Sequence, residues 1–421
     1  MRAGRSSEAG GAARMLLITS LGIVLVPLNA TMIALALPDI RTDLSLSYAS
    51  VAWLIGVYLA IMAIAQPVCG RIGDRVGHAT SFRLGLVLFI AASAAAALVS
   101  GFELLLLARV GQACGAALVI PNGMALIRNG APPKKLGAYL GMTGALIALS
   151  AAIGPAVAPA ILAAASWRWI FACTIPIAAL SLLLSLRFRA SVPARGGEQT
   201  LPWQTVALLL AVVLAASLLV EGLATDLSIA YAIAGLVPLA AAIVLFYMSE
   251  SGDANPLIDP TPLQSPRFLV AASYGFVSNA VIYVVLLGVP ALFVDVEGYS
   301  LQTAGALIGV MSLIVVFLSP ASGRMSDRVG RTRPMITGAF LQLTGLVGVL
   351  MAAHWDASAA LFGLALVLVG CGIGFGVPAA SSMALEVMGE EKSGAAAGLN
   401  SMMRYLGNLF GVLVIGGSLV A

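Results

Sequence analysis

Thirteen long apolar stretches limit what this chain can fold into more than any other feature of its sequence. Each has about 18 residues or more, which is close to the length that a helix needs to cross a bilayer. Open sheet edges in hydrocarbon would leave costly unpaired backbone groups, and the stretches lack the alternation of barrel strands. The sequence therefore predicts an all-α membrane protein with about 13 transmembrane helices. The predicted spans are 15–37, 50–69, 80–100, 103–127, 136–164, 169–186, 203–223, 228–248, 268–294, 301–321, 334–353, 358–380 and 394–420.

Composition excludes a soluble enzyme. Hydrophobic residues make up 60% of the 421 residues and charged residues only 10%, whereas about 25% of the residues in a soluble domain are charged. Neither histidine has a triad or metal partner by spacing, and no Walker-type sequence is present. We therefore expect no catalytic residues, no metal site and no cofactor, and we do not expect ATP to be the energy source.

The basic residues predict how the helices are oriented. With the N-terminus in the cytoplasm, 18 of the 22 lysines and arginines fall on the cytoplasmic side of the thirteen spans. This bias is what the positive-inside rule requires. The net charge of +4 is then a property of the cytoplasmic face, and we expect no nucleic-acid partner. The Ala- and Gly-rich composition suggests a bacterial plasma membrane.

One eight-residue motif occurs twice. Residues 70–77 (GRIGDRVG) return 253 residues later as residues 323–330 (GRMSDRVG), with six of eight positions identical. Parallel repeats of this kind are typical of transporters built from two similar halves. The predicted organisation is a cytoplasmic tail (1–14), an N-terminal bundle (15–187), a linker with two inserted helices (188–266) and a C-terminal bundle one helix short (267–421).

The repeated motif predicts a conformational switch. A carboxylate at a helix end can stabilise the positive N-terminus of a neighbouring helix in one conformation and leave it in another. The small residues of the motif are expected to let a neighbouring helix approach closely. They are Gly70, Gly73 and Gly323. For a single copy, a basic anchor loop is an equally good interpretation; two copies in register favour the mechanical role. The predicted switch residues are Gly70, Asp74, Arg75, Gly77, Gly323, Asp327, Arg328 and Gly330.

These motifs and several others resemble the major facilitator superfamily, and most of all its fourteen-helix drug:proton antiporter branch. The chain carries that branch's first-helix signature at residues 28–38, an intramembrane Arg109 and the pair Gly154-Pro155. The resemblance implies two six-helix-type bundles with two inserted helices. It also implies multidrug efflux by alternating access, driven by a proton gradient and associated with antibiotic resistance. Gly154 and Pro155 are expected to break the fifth helix.

Four departures from that branch bear on the mechanism. The basic run that the branch has after Gly77 is reduced here to His78, Ala79 and Thr80. Asn29 stands where the branch usually has an aspartate, which puts proton coupling and cation recognition at this position in doubt. The antiporter motif ends in Ala158-Pro159 in place of two glycines. The branch's fourteenth helix has no counterpart before Ala421, and a truncated or a naturally short chain would both fit.

Seven residues on the predicted spans are expected to line the substrate cavity. Burial of Arg109 would require a partner, although an arginine near a helix end can also snorkel to the interface. Asn29 could equally bridge helices, and each of the remaining amides and tyrosines is, taken singly, more typical of packing. The predicted cavity is sparsely polar, which suits amphipathic or lipophilic substrates. Its residues are Asn29, Tyr58, Gln66, Arg109, Asn122, Asn279 and Tyr283.

The sequence thus favours an exporter of amphipathic small molecules, with membrane lipids as its surroundings and a monomer favoured. Two alternatives stay open. One is a non-transporting membrane sensor of the same fold, and the other is an uptake uniporter or symporter for a lipophilic metabolite.

Overall fold

The computed structural model is built of helices throughout the residues that it describes, which are 2–130, 136–187, 244, 245, 248, 261–292, 300–355, 358–386 and 393–418. The first half contains α1 (Arg2–Asp43), α2 (Tyr48–Val76), α3 (His78–Leu98), α4 (Phe102–Gly130), α5 (Leu136–Ala164), α6 (Arg168–Ala172) and α7 (Thr174–Leu186). The second half contains α8 (Pro266–Ala291), α9 (Leu301–Val329), α10 (Thr332–His354), α11 (Ala359–Glu386) and α12 (Ser393–Ser418).

Eleven of the thirteen predicted spans coincide with these helices. Eight stretches in the described part of the chain are long and apolar enough to cross a membrane, and α2 adds a shorter apolar segment, Trp53–Gln66. The sixth predicted span is divided at Cys173 into α6 and α7. The two inserted spans, 203–223 and 228–248, lie outside the described residues apart from positions 244, 245 and 248. The predicted tail, 1–14, is helical from Arg2 onward.

The two halves pack their helices in the same pattern. In the first half α1 contacts α4 and α5, while α4 also contacts α2 and α3. In the second half α8 contacts α11 and α12, while α11 also contacts α9 and α10. The motif repeat therefore extends to the arrangement of the helices, as expected for two bundles of common architecture.

Paired glycines set close contacts of this kind in both halves. A methyl group on Gly85 would lie 2.7 Å from the carbonyl oxygen of Gly115, and one on Gly338 would lie 2.7 Å from that of Gly372. Gly85 and Gly338 are separated by the same 253 residues as the two motifs. Small residues let membrane helices approach until their backbones touch. The pair α3 and α4 in the first half is therefore equivalent to the pair α10 and α11 in the second half.

The halves meet through two symmetric pairs of helices. Among the described helices, α2 packs against α12 and α5 packs against α9, and these are the main contacts between the bundles. A polar side chain at these seams can contact both halves at once.

Both copies of the repeated motif end a helix in the same way. Gly77 ends α2 with φ +93°, and Gly330 ends α9 with φ +85°. Side chains other than glycine rarely adopt such positive φ values. The two glycines therefore reverse the chain between α2 and α3 and between α9 and α10.

Candidate functional site

A fully buried arginine forms the centre of the candidate site. The side chain of Arg109 on α4 is 0% exposed. Its Nε donates to the carbonyl oxygen of Leu54 on α2 at 3.0 Å, and its Nη1 donates to Asn29 Oδ1 on α1 at 2.8 Å. A charged side chain at the bilayer centre costs about 2.5–3.5 kcal/mol on insertion scales. Arg109 offsets part of that cost with neutral acceptors from three helices and does not snorkel to the interface.

Gln112 fixes the arginine from its own helix. Its Oε1 accepts from Arg109 Nη1 at 2.9 Å, and its Nε2 donates to Ser93 Oγ on α3 at 2.8 Å. Residues three apart face the same side of a helix, so the two side chains can share this contact. The network thus joins four helices of the first half.

An aromatic ring covers one face of the guanidinium. The Cζ atom of Arg109 lies 4.2 Å from the centroid of the Tyr58 ring, a cation–π distance. Tyr58 is 1% exposed. The ring supplies attraction to the cation without contributing a negative charge.

Side chains from the second half approach this network. Tyr283 on α8 lies within electrostatic range of Arg109 and of Tyr405 on α12. Tyr405 also lies close to Gln66 on α2. Polar groups of both bundles therefore converge where α2 meets α12.

Two of the predicted cavity residues, Asn122 and Asn279, form their hydrogen bonds away from Arg109. Asn122 donates to the carbonyl oxygens of Cys69 and Leu118, and its Oδ1 lies 2.8 Å from His78 Nδ1. Asn279 donates to the carbonyl oxygen of Gly275 in its own helix. The contacts of Asn122 bridge α4 to the turn after α2, which is the packing role that the sequence left open.

The predicted switch residues lie at the ends of α2 and α9. Gly73 is the tight position, because a methyl group there would collide with Asn122 and His78. Gly70 has only ordinary contact distances, whereas a methyl group at Gly323 would have nothing within 4 Å. The expectation of close helix approach is therefore wrong for Gly323.

Arg328 and Gly330 are exposed. The side chains of Asp74, Arg75 and Asp327 lie outside the described residues, so their predicted contacts remain predictions.

The predicted break at Gly154 and Pro155 is corrected by the structure. Helix α5 runs without interruption from Leu136 to Ala164. In a membrane, neighbouring helices can satisfy the backbone groups that a proline frees, so the chain can stay helical. Gly154 instead makes room for Thr31 of α1, because a methyl group there would overlap Thr31 Oγ1.

Sequence reasoning missed several members of the site. Gln112 stood three residues after Arg109, and this spacing could have identified it as a partner. Ser93 and Tyr405 had no comparable signal, because only tertiary packing brings α3 and α12 to these positions.

Comparison with known proteins places the chain in a family. The model of the Major Facilitator Superfamily matches residues 19–412. The uncharacterized MFS-type transporter YwoD of Bacillus subtilis is 31% identical over 400 residues, which cover 94% of this chain and 87% of that protein. The multidrug resistance protein Stp of Mycobacterium tuberculosis is 26% identical over 410 residues, which cover 96% of this chain and 75% of that protein.

Solved structures agree on the fold. The crystal structure of a D-xylose-proton symporter has a TM-score of 0.68 at 17% identity and covers 96% of this chain and 89% of that one. This likeness concerns the fold alone. Together with the family match, it identifies the chain as a multi-pass membrane transporter of the major facilitator superfamily and not an enzyme.

Proposed function

We propose that this transporter exports amphipathic or lipophilic small molecules by alternating access, driven by the proton gradient across a bacterial plasma membrane. The proposal includes membership of the fourteen-helix drug:proton antiporter branch and a cytoplasmic N-terminus. The relative Stp, named as a multidrug resistance protein, supports the choice of substrate class.

One observation carries the proposal. The buried Arg109 network sits in the first half beside the seam where α2 meets α12. Tyr283 of the second half lies near Arg109, and Tyr405 lies near Tyr58. Rocking of one bundle against the other would change this seam first. A charge held there by neutral partners can respond to a substrate or a proton entering between the bundles.

The proposed role of each part of the chain follows from the same geometry. The bundles of residues 15–187 and 267–421 would move, and the turns at Gly77 and Gly330 would act as switches between them. In this mechanism Asp74, Arg75, Asp327 and Arg328 make and break contacts at the cytoplasmic face, and the residues around Arg109 receive the substrate.

Efflux of Nile red, an uncharged lipophilic dye, from cells that express the chain tests the proposal. We expect efflux to stop when an uncoupler collapses the proton gradient, and we expect Asp74→Asn to insert normally but lose most of its efflux. The matched control is Asp39→Asn, which removes the same charge from an exposed position at the other end of the first helix pair.

Three outcomes would count against the proposal. Efflux that persists with the uncoupler would reject proton coupling. Indifference to Asp74→Asn would favour the sensor or scaffold interpretation. Net uptake in vesicles of known orientation would favour the uniporter or symporter.

A further inference from the structure

The buried polar groups around Arg109 have more donors than acceptors. Among the described residues, Arg109 Nη2, Asn29 Nδ2 and Tyr58 Oη are buried without a hydrogen-bond partner. The first two are donors only, and a tyrosine hydroxyl can also donate. Buried donors without partners are costly and rare, so their clustering on α1, α2 and α4 points to an acceptor that arrives from outside the protein.

The geometry brings these three groups together. Asn29 Oδ1 lies 2.8 Å from Arg109 Nη1, and the Tyr58 ring covers the guanidinium at 4.2 Å. Arg109 uses Nε and Nη1 for protein acceptors, which leaves Nη2 as its open edge. A single small group beside that edge could accept from all three residues.

Among the described residues, the hydrogen-bond partners of this cation include no carboxylate. The acids of α1, α2 and α4 are Glu8, Asp39, Asp43, Asp74 and Glu103, and all five lie near helix ends. The sequences of α5, α8 and α12 contain no acid at all. Asn29 provides an amide at the position closest to the guanidinium, so Arg109 keeps an uncompensated positive charge.

We propose that the substrate is an amphipathic organic anion, with a carboxylate or phenolate that binds between Arg109, Asn29 and Tyr58. This inference rests on the proposed function and narrows its substrate class. An anion would accept charge-assisted hydrogen bonds, which are about twice as strong as neutral ones. A cation would meet the unneutralised guanidinium and be repelled.

A matched set of ligands tests the charge preference. The purified full chain in nanodiscs is titrated with 1-naphthylacetate, its neutral amide 1-naphthylacetamide and the cation 2-(1-naphthyl)ethylammonium. We expect the anion to bind at least about 10-fold more tightly than the amide, which corresponds to about 1.4 kcal/mol, and the cation to bind most weakly. Equal affinities, or preference for the cation, would overturn the proposal.

Two variants test the site. Asn29→Asp places a carboxylate against Arg109 with almost no change of shape, and it is expected to remove the preference for the anion. Asn129→Asp adds the same charge at the exposed end of α4 and should keep that preference. Tyr58→Phe removes one donor and should weaken anion binding more than amide binding, because hydrogen bonds to an ionised acceptor are the stronger ones. This variant tests the site if Asn29→Asp does not fold.

The results separate this inference from the proposed function. If the cells export Nile red but purified protein does not prefer the naphthylacetate anion, the exporter stands and the anion site is rejected. If the anion binds and Asn29→Asp removes the preference while cells export neither Nile red nor 1-naphthylacetate, the site stands and the exporter is rejected.

Discussion

The two halves share a backbone plan but differ at matched positions. Counted from the paired glycines, Arg109 corresponds to Leu366 and Gln112 to Val369; Leu366 and Val369 are both fully buried. Counted from the repeated motifs, Tyr58 corresponds to Met311, which is 3% exposed. At these three matched positions the second half is apolar, and its own buried polar groups, such as Ser278 with Gln342 and the Nε of Arg404, lie elsewhere.

This difference teaches that helix packing and chemistry are set by different residues. Glycine contacts such as Gly85 with Gly115 repeat in both halves because they determine how closely backbones approach. The contacts of Arg109 have no counterpart at the matched positions of the second half, since a buried charge is tolerated only where acceptors from neighbouring helices surround it. A transporter of this design can carry an asymmetric site on a symmetric scaffold.

Placing the arginine of the first half at its matched position in the second half should have the largest effect on the yield of folded protein. Leu366→Arg places a charge where the counterparts of its partners are apolar, so it should cost at least about 2.5–3.5 kcal/mol and abolish folded protein. Yield in membranes and the elution profile after extraction measure this. Leu366→Met is the control, because a swap of similar volume costs less than about 1.5 kcal/mol. Normal yield of Leu366→Arg would show that the halves are chemically interchangeable.

The paired glycines should respond alike in the two halves. Gly85→Ala and Gly338→Ala each force a methyl group to 2.7 Å from a carbonyl oxygen, which should destabilise each variant by about 1–3 kcal/mol. Thermal unfolding in detergent gives the shift. Gly309→Ala serves as control, since nothing lies within 4 Å of the added methyl group and alanine favours a helix by about 1 kcal/mol. A shift in only one half would break the proposed symmetry.

The turns after α2 and α9 should contribute differently to the free energy of unfolding, and both contributions should be smaller than the effect of Leu366→Arg. His78 contacts the buried Asn122 at 2.8 Å, whereas Arg331 pairs with the exposed Glu386 at 2.6 Å. His78→Ala leaves a buried acceptor without its donor and should cost about 1–3 kcal/mol. Arg331→Ala should cost about 0–1 kcal/mol, because exposed ion pairs contribute little. The same unfolding measurement checks both.

His78→Asn retains a donor near the position of Nδ1 and should restore most of the stability lost in His78→Ala. A larger loss in Arg331→Ala than in His78→Ala would show that the exposed pair, and not the buried one, holds its turn in place.

Much of the fold was predictable from local patterns. Apolar length predicted the helices, and the repeat at residues 70–77 and 323–330 predicted two similar halves, because both signals lie within short stretches of sequence. Arg109 was also recognisable, since a charge inside an apolar run requires burial among partners.

Parts of the site could not be predicted in this way. The sequence grouped Asn122 with the cavity, but helix rotation turns it toward His78 and the backbone of α2. Gly154 and Pro155 suggested a broken helix, but α5 is continuous in the structure, and Gly154 packs against Thr31 of α1. These outcomes depend on neighbours that are distant along the chain.

The sequence by itself determined that the chain crosses a membrane many times in two related bundles, because transfer of apolar residues to lipid depends on composition over single segments. Only the tertiary structure decided which residues meet Arg109, that its neighbours are neutral, and that the matched site in the second half is apolar. Hydrogen bonds and cation–π contacts act over a few ångströms, so they depend on how the helices rotate and approach one another.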